Sequence, residues 1–247
     1  MKQLQVAKRW PEGRRCGVVV ALLAVLVGTA ALTPAQDFKI EPSPSLDSTS
    51  LSQTLAAQLD PKGSRLVRAA NGAHNPICDV WWVKSVDSGK PAGTTPDILY
   101  GSLPVGGLVG VLQAISPEAE DFRDQKLKPG LYTMRYAQIP QDGNHMGVSQ
   151  FRDFLLLIPA RADTQPDKVL GFDELVKLSR LATGTGHPAV MSLVPPNPSY
   201  KKLPAVVADD QGNCALQVQV HERSPAGTQD ADLAILLITP PKEEGGS

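Results

Sequence analysis

Histidine, cysteine and aromatic residues are all scarce in this chain: four His, three Cys and 5% Phe, Trp and Tyr among 247 residues. With so few cysteines there is no CxxC or CxxCH, which excludes a zinc ribbon, a thioredoxin-type redox pair and a c-type haem. There is no HExxH, so the commonest zinc-protease signature is missing. GxSxG is absent too, and Gly106, Gly107 and Gly110 are not followed by the Lys-Ser/Thr of a phosphate loop. A type-1 copper centre needs Cys and His close together on one loop. Cys214 and His221 lie seven apart along an alternating stretch, which points them to opposite faces.

A surplus of positive charge is also missing. Lys and Arg number 24 against 25 Asp and Glu. Five of those basic residues and one acidic residue fall in the first 35 positions, so the remainder carries 19 against 24, a net of −5. This balance excludes a broad nucleic-acid footprint. Long apolar runs are lacking beyond Leu32, which leaves residues 16–32 as the one stretch of membrane character.

That stretch has the layout of an export signal. Lys2, Lys8, Arg9, Arg14 and Arg15 precede an unbroken small and apolar run from Cys16 to Leu32, and Thr33-Pro34-Ala35 supplies small residues before a cut. The run of 17 residues is long for a cleaved signal and short for a span. Residues 1–35 are therefore read as a signal peptide of a periplasmic or secreted protein, or as an uncleaved anchor holding it to the inner membrane by residues 16–32. The two cysteines beyond it, Cys78 and Cys214, are expected to form a disulfide in an oxidising compartment, or else to be two separate buried thiols.

The rest of the chain is mostly short strands. Pro129-Gly130 is a turn, after which Tyr132, Met134 and Tyr136 alternate with Thr133 and Arg135, the period of a half-buried strand. Phe154 to Ile158 is wholly apolar and closes at Pro159, the mark of a strand covered on both faces. Further strands are expected at 77–86, 98–100, 107–115, 189–194, 205–208, 214–222 and 231–238. In 214–222 Leu216, Val218 and Val220 should face inward, with Gln217, Gln219 and His221 outward. Phe172 to Thr183 is the one prominent helix, with Leu175, Val176, Leu178 and Leu181 as its apolar stripe and Gly184 as its stop. Leu51, Leu55 and Leu59, spaced by four, predict a short helix within 48–59. The expected architecture is mainly β: an antiparallel β-sandwich with Greek-key-like connections over 65–240, preceded by a flexible lead-in at 36–64 and followed by a loose tail at 241–247.

Candidate site residues cluster between the two clearest strands. The loop there carries Asp142, Asn144 and His145, followed by Arg152. Asp142-Gly143-Asn144 is also ordinary turn chemistry. His145 with His74 and Asp142 is the candidate set for a divalent metal ion, the alternative to a protein with no cofactor. Asp153, Glu118 and Asp121 are the carboxylates available to a hydrolase, with no spacing that pairs them. In Trp81-Trp82 adjacent rings must point to opposite faces, one into the core and the other under a loop or into solvent, so Trp82 is the candidate aromatic platform.

The stretch LKPGLYTMRYAQIP resembles the PGxY strand start of exported bacterial β-sandwich families of unassigned function. RDFLLLIPARAD, taken with the N-terminal signal, resembles exported proteins of acidobacterial type. The resemblance spans about residues 77–160. It implies a sandwich fold and an exported location and brings no active site with it. The expected function is a non-catalytic binding or accessory protein of the cell envelope, with an envelope protein or a glycan as partner, no nucleic acid, and contact with a membrane only through an uncleaved N-terminal segment. The alternatives are a metal-binding periplasmic protein and a hydrolase on the same scaffold.

Overall fold

The computed structural model describes residues 38–47, 50–70, 72–88, 95–141, 149–208 and 212–238. They contain β1 (Phe38–Pro42), α1 (Gln53–Gln58), β2 (Ser64–Ala70), β3 (Ala73–Trp82), β4 (Val86–Asp87), β5 (Leu108–Ala114), β6 (Gly130–Gln138), β7 (Asp153–Pro159), α2 (Phe172–Thr183), β8 (Ala189–Val194), β9 (Ala205–Ala208), β10 (Cys214–Ser224) and β11 (Gly227–Ile238). The eleven strands form one sheet in the order β1-β2-β3-β5-β6-β7-β8-β11-β10-β4, with β9 also on β10. Every pairing is antiparallel except the two-residue contact of β4 with β10. The sheet curls until β1 comes up against β9, so it is a nearly closed barrel.

The mainly β, antiparallel expectation therefore holds in coarse form, but the core lies inside one rolled sheet and not between two. Apart from β4, which leaves the path after β3 to lie beside β10, the strands from β1 to β8 form an up-and-down meander. The chain then crosses to β9 and comes back through β10 so that β11 lies beside β8, a single Greek-key-like return. Alternation along each strand sends one set of side chains inside: Cys78, Val80 and Trp82 from β3, Tyr132, Met134 and Tyr136 from β6, Leu155 and Leu157 from β7, and Leu216, Val218 and Val220 from β10. The two faces of β6 and β10 carry the sets expected, but Thr133, Arg135 and Gln217 on the outer face are buried as well, so β6 is covered on both faces and is not half-buried.

Two differences from expectation concern the edges. Phe38–Pro42 falls in the proposed flexible lead-in, yet it pairs with β2 along its whole length. Phe38 is buried, Ile40 packs on the core, and Pro42 ends the strand at the open edge, where a missing N–H costs nothing. Residues 98–100 are not a strand; the buried Asp153 carboxylate accepts the amide N–H groups of Leu99 at 2.7 Å and Tyr100 at 2.9 Å and holds them as a turn.

Helix α2 matches its predicted limits, and Gly184 takes the left-handed conformation that stops it (φ 70°). It covers the outer face of β6 and β7, where Leu175 packs with Phe154, Leu156, Ile158, Ala137 and Leu170. The buried face runs through Leu175, Ser179 and Ala182, while Leu181, read as part of the stripe, is 56% exposed. Ser179 belongs inside because its hydroxyl donates to the Ala189 carbonyl and accepts the Ala189 amide N–H.

Beside α2, the segment after β7 is tied down by Arg135. All five guanidinium N–H groups are used: Nε and Nη2 on the two oxygens of Asp163 at 2.7 and 2.8 Å, Nη1 on the carbonyls of Gly106 and Lys168, and Nη2 also on that of Gln165. Thr133 adds a hydroxyl to Asp163 at 2.6 Å. Gly106 is required here. Its φ is +91°, and a Cβ would lie 2.0 Å from the Leu170 carbonyl oxygen.

Candidate functional site

The alternation that buries Val218 and Val220 leaves Gln219 and His221 on the outer face of β10. On the edge away from β11, β9 pairs with Cys214–Gln217 and β4 with Glu222–Arg223. Pro204 has no N–H with which to prolong β9, so the ladder starts at Ala205. Among the described residues, Val218–His221 therefore pair on one side only, with β11.

A cleft of about 450 Å³ opens along this stretch, a size within the range of ligand sites. One wall is Val218–His221. The facing wall is the end of β3, Trp82-Val83, with Lys84 beyond it and Asp60, Lys62 and Ser64 from the approach to β2. Lys201, Lys202, Leu203 and Pro204 form the rim.

Four lysines thus converge from three separate segments. Lys62, Lys84, Lys201 and Lys202 are all exposed. Lys84 donates through Nζ to the Ala57 carbonyl at 2.7 Å, and among the described residues the other three have no ion pair. Asp60 is the only carboxylate of the lining, and one of its oxygens accepts the Lys62 amide N–H at 2.8 Å. His221 faces Asp230 at 2.6 Å. Trp82 lines the cleft while only 7% exposed, and among the described residues its buried indole N–H has no partner. Such a lining attracts anions and offers them little internal competition.

The residues expected from sequence to form a site are distributed differently. Trp82 is a wall of this cleft, and as an interior residue it is no open platform. Trp81, its neighbour, lies on the other face beneath Ser43 and Gly63, so both rings are covered. Arg152 is half-buried and structural: Nε donates to the Ile139 carbonyl at 2.8 Å and Nη1 lies 3.8 Å from Asp97. The Thr95 hydroxyl, and to a smaller degree Arg152, hold the Asp97 carboxyl below its ordinary value. Asp142, Asn144 and His145 lie outside the described residues.

His74 pairs through Nδ1 with Glu41. The ladders set it at the opposite end of the sheet from Arg152: Cys78 is level with Ala114 and Gly130, whereas Asp153 is level with Gln138, at the far end of β6, roughly 27 Å of strand away. Among the described residues no three of His, Cys, Asp and Glu gather where they could hold a metal ion.

The carboxylates considered for hydrolysis are committed elsewhere. Asp153 accepts the Tyr136 hydroxyl at 2.7 Å besides its two amides. Asp121 accepts the amides of Arg123, Gln125 and Val190 and the Gln125 side chain. Glu118 is exposed and 3.3 Å from Arg68.

The expected disulfide is not formed. Cys78 and Cys214 sit on β3 and β10, strands that do not pair, and each is buried in the core as a thiol. Burial, with the charge of Asp79 beside it, pushes the Cys78 thiol up to about 12. Small apolar wall positions of this kind suit a thiol without any bridge.

No protein-family model matches the chain, and neither the curated proteins nor the solved structures searched contain a match. Among the described residues no helix is long and apolar enough to cross a membrane.

Sequence reasoning missed the lysines. Lys201-Lys202 is visible as a pair after a proline-rich break, but Lys62 and Lys84 are single charges in separate stretches, and only the curl of the sheet brings them to one opening.

Proposed function

We propose that this protein is an exported, non-catalytic binding module of the cell envelope that holds an anionic partner in the lysine cleft. The observation that carries the reading is the convergence of Lys62, Lys84, Lys201 and Lys202 on one opening beside Trp82. The chain beyond residue 35 is otherwise acidic, with a net of −5, so four lysines facing one carboxylate form a local reversal of sign. The N-terminal basic and apolar run, and the resemblance of the central strands to exported bacterial families, support the location.

Trp82 provides the readout. Titrating the protein with poly-glutamate and with polygalacturonate, while following tryptophan fluorescence at low and at high salt, should give saturable and salt-sensitive binding of at least one polyanion. The variant K201E/K202E should weaken it at least tenfold. Two exposed acidic substitutions elsewhere, at Lys39 and Lys177, should leave it unchanged. Equal loss at both pairs, or no binding at all, would sink the reading. Recovery of the protein in the cytoplasmic fraction would sink the proposed location.

A further inference from the structure

The cleft also contains an unfinished part of the sheet. Arg223 turns its carbonyl toward β4, where it accepts the Ser88 amide at 2.7 Å. Backbone groups alternate between the two edges along a regular strand, and the only irregularity in the β10–β11 ladder is at Cys214/Ala215. The amide and carbonyl groups of His221 and Gln219 therefore point to the same edge as those of Arg223, into the gap between β9 and β4. Among the described residues they have no backbone partner there.

We propose that the occupant of the cleft is an extended acidic peptide, which adds a short strand to β10 opposite Val218–His221 and places its carboxylates against Lys62, Lys84, Lys201 and Lys202. This rests on the anionic-partner reading above and names the partner's class. Backbone pairing with an open strand edge supplies affinity that any extended chain can draw on, while the lysines select for acidic side chains. A peptide suits the site better than a glycan for one reason. The unmet groups of Gln219 and His221 are spaced as a strand ladder, two residues apart on one edge, and only another peptide backbone offers N–H and C=O at that repeat. The short β4 already shows that this edge accepts a strand in parallel sense, and β9 that it accepts one in antiparallel sense.

The test uses a labelled, end-blocked peptide of alternating Glu and Val, followed by fluorescence anisotropy. Two further versions carry methyl groups on every second backbone nitrogen, one in each frame. The expected result is saturable binding of the parent. One methylated frame should be weakened at least tenfold and the other little changed, because only one edge of the added strand faces β10. K201E/K202E should bind at least tenfold more weakly, and hydrogen exchange at the His221 and Gln219 amides should slow in the complex.

If both methylated frames bind like the parent, the strand pairing is wrong while the anionic site stands. If polygalacturonate binds and the peptide does not, the occupant is a glycan, and this inference falls while the anionic reading survives. If neither binds, the lysines only guard an open edge against other chains, and both readings fall.

Discussion

Positive charge is gathered at two places on this sheet, and the two are built in opposite ways. At Arg135 the guanidinium is fully buried, every N–H is used, and Asp163 lies against it, itself 3% exposed. At the seam beside β10 four lysines stand exposed, one carboxylate shares the lining, and the neighbouring strand edge is open. A buried charge that is fully partnered has nothing left to offer a ligand, and its contribution is to fix the chain around it. Exposed charges that carry no ion pair contribute little to folding, and they are the ones available to bind. On this molecule the difference between scaffold and candidate site is a difference in how completely polar groups are satisfied.

The comparison is broken most directly at its sealed end. Asp163→Ala leaves a buried cation without its counter-charge and should cost about 3–5 kcal/mol, measured as a lower urea midpoint. A change below 1 kcal/mol would mean that water reaches Arg135.

The next effect is at alkaline pH. The Cys78 thiol has its folded pKa raised from 9.0 to about 12. Above about pH 9 the unfolded chain gives up this proton while the folded protein keeps it, so the unfolded state binds fewer protons and stability falls as pH rises. The full contribution is present below pH 9 and is lost between about 9 and 12, up to about 4 kcal/mol at 1.36 kcal/mol per unit. Burial also raises the Tyr100 and Tyr136 hydroxyls, which adds to the same trend. The Cys78 share is the difference in slope between the wild type and Cys78→Ala over that range. Parallel slopes would remove it.

Tyr136→Phe removes one of three donors to the Asp153 carboxylate, and a hydrogen bond to a charged group is worth about 1.5–3 kcal/mol. The loss should appear in the urea midpoint, with the turn at Leu99 and Tyr100 exchanging its amides faster. At the open end, K201E/K202E should change stability by less than about 0.5 kcal/mol while it weakens anion binding. A large loss of stability there would show that the lysines belong to the scaffold and would erase the contrast.

Much of the scaffold was legible from residue order, and little of the seam was. Strand β6 could be read because Tyr132, Met134 and Tyr136 keep a strict period of two, and α2 because a helical period ends at a glycine. The choice between one rolled sheet and two stacked ones could not be read. Alternation records that one face of each strand is covered, and it looks the same whether that face meets its own sheet or another. Strand β1 was hidden because proline and serine dominate its surroundings, although Phe38 and Ile40 carry the alternation. Leu181 was misplaced for a different reason: Ser179 and Ala182 occupy the inner face through a hydrogen bond and through small size, and apolar periodicity sees neither. The seam was invisible because its charges are distant in sequence and its decisive feature, a stretch of β10 that pairs on one side only, is defined by where β9 and β4 stop.

The position of β11 has a consequence for the order in which the molecule can be assembled. Among the described residues it is the last strand, yet it lies between β8 and β10. A ribosome delivers β1 to β8 and then the β9–β10 pair, and until Gly227–Ile238 has emerged these two pieces share only the two-residue ladder of β4 with β10. Completion of the sheet therefore waits for Gly227–Ile238 to be made. A chain that stops short of residue 227 would carry open strand edges at β8 and β10, where β11 otherwise fills the sheet.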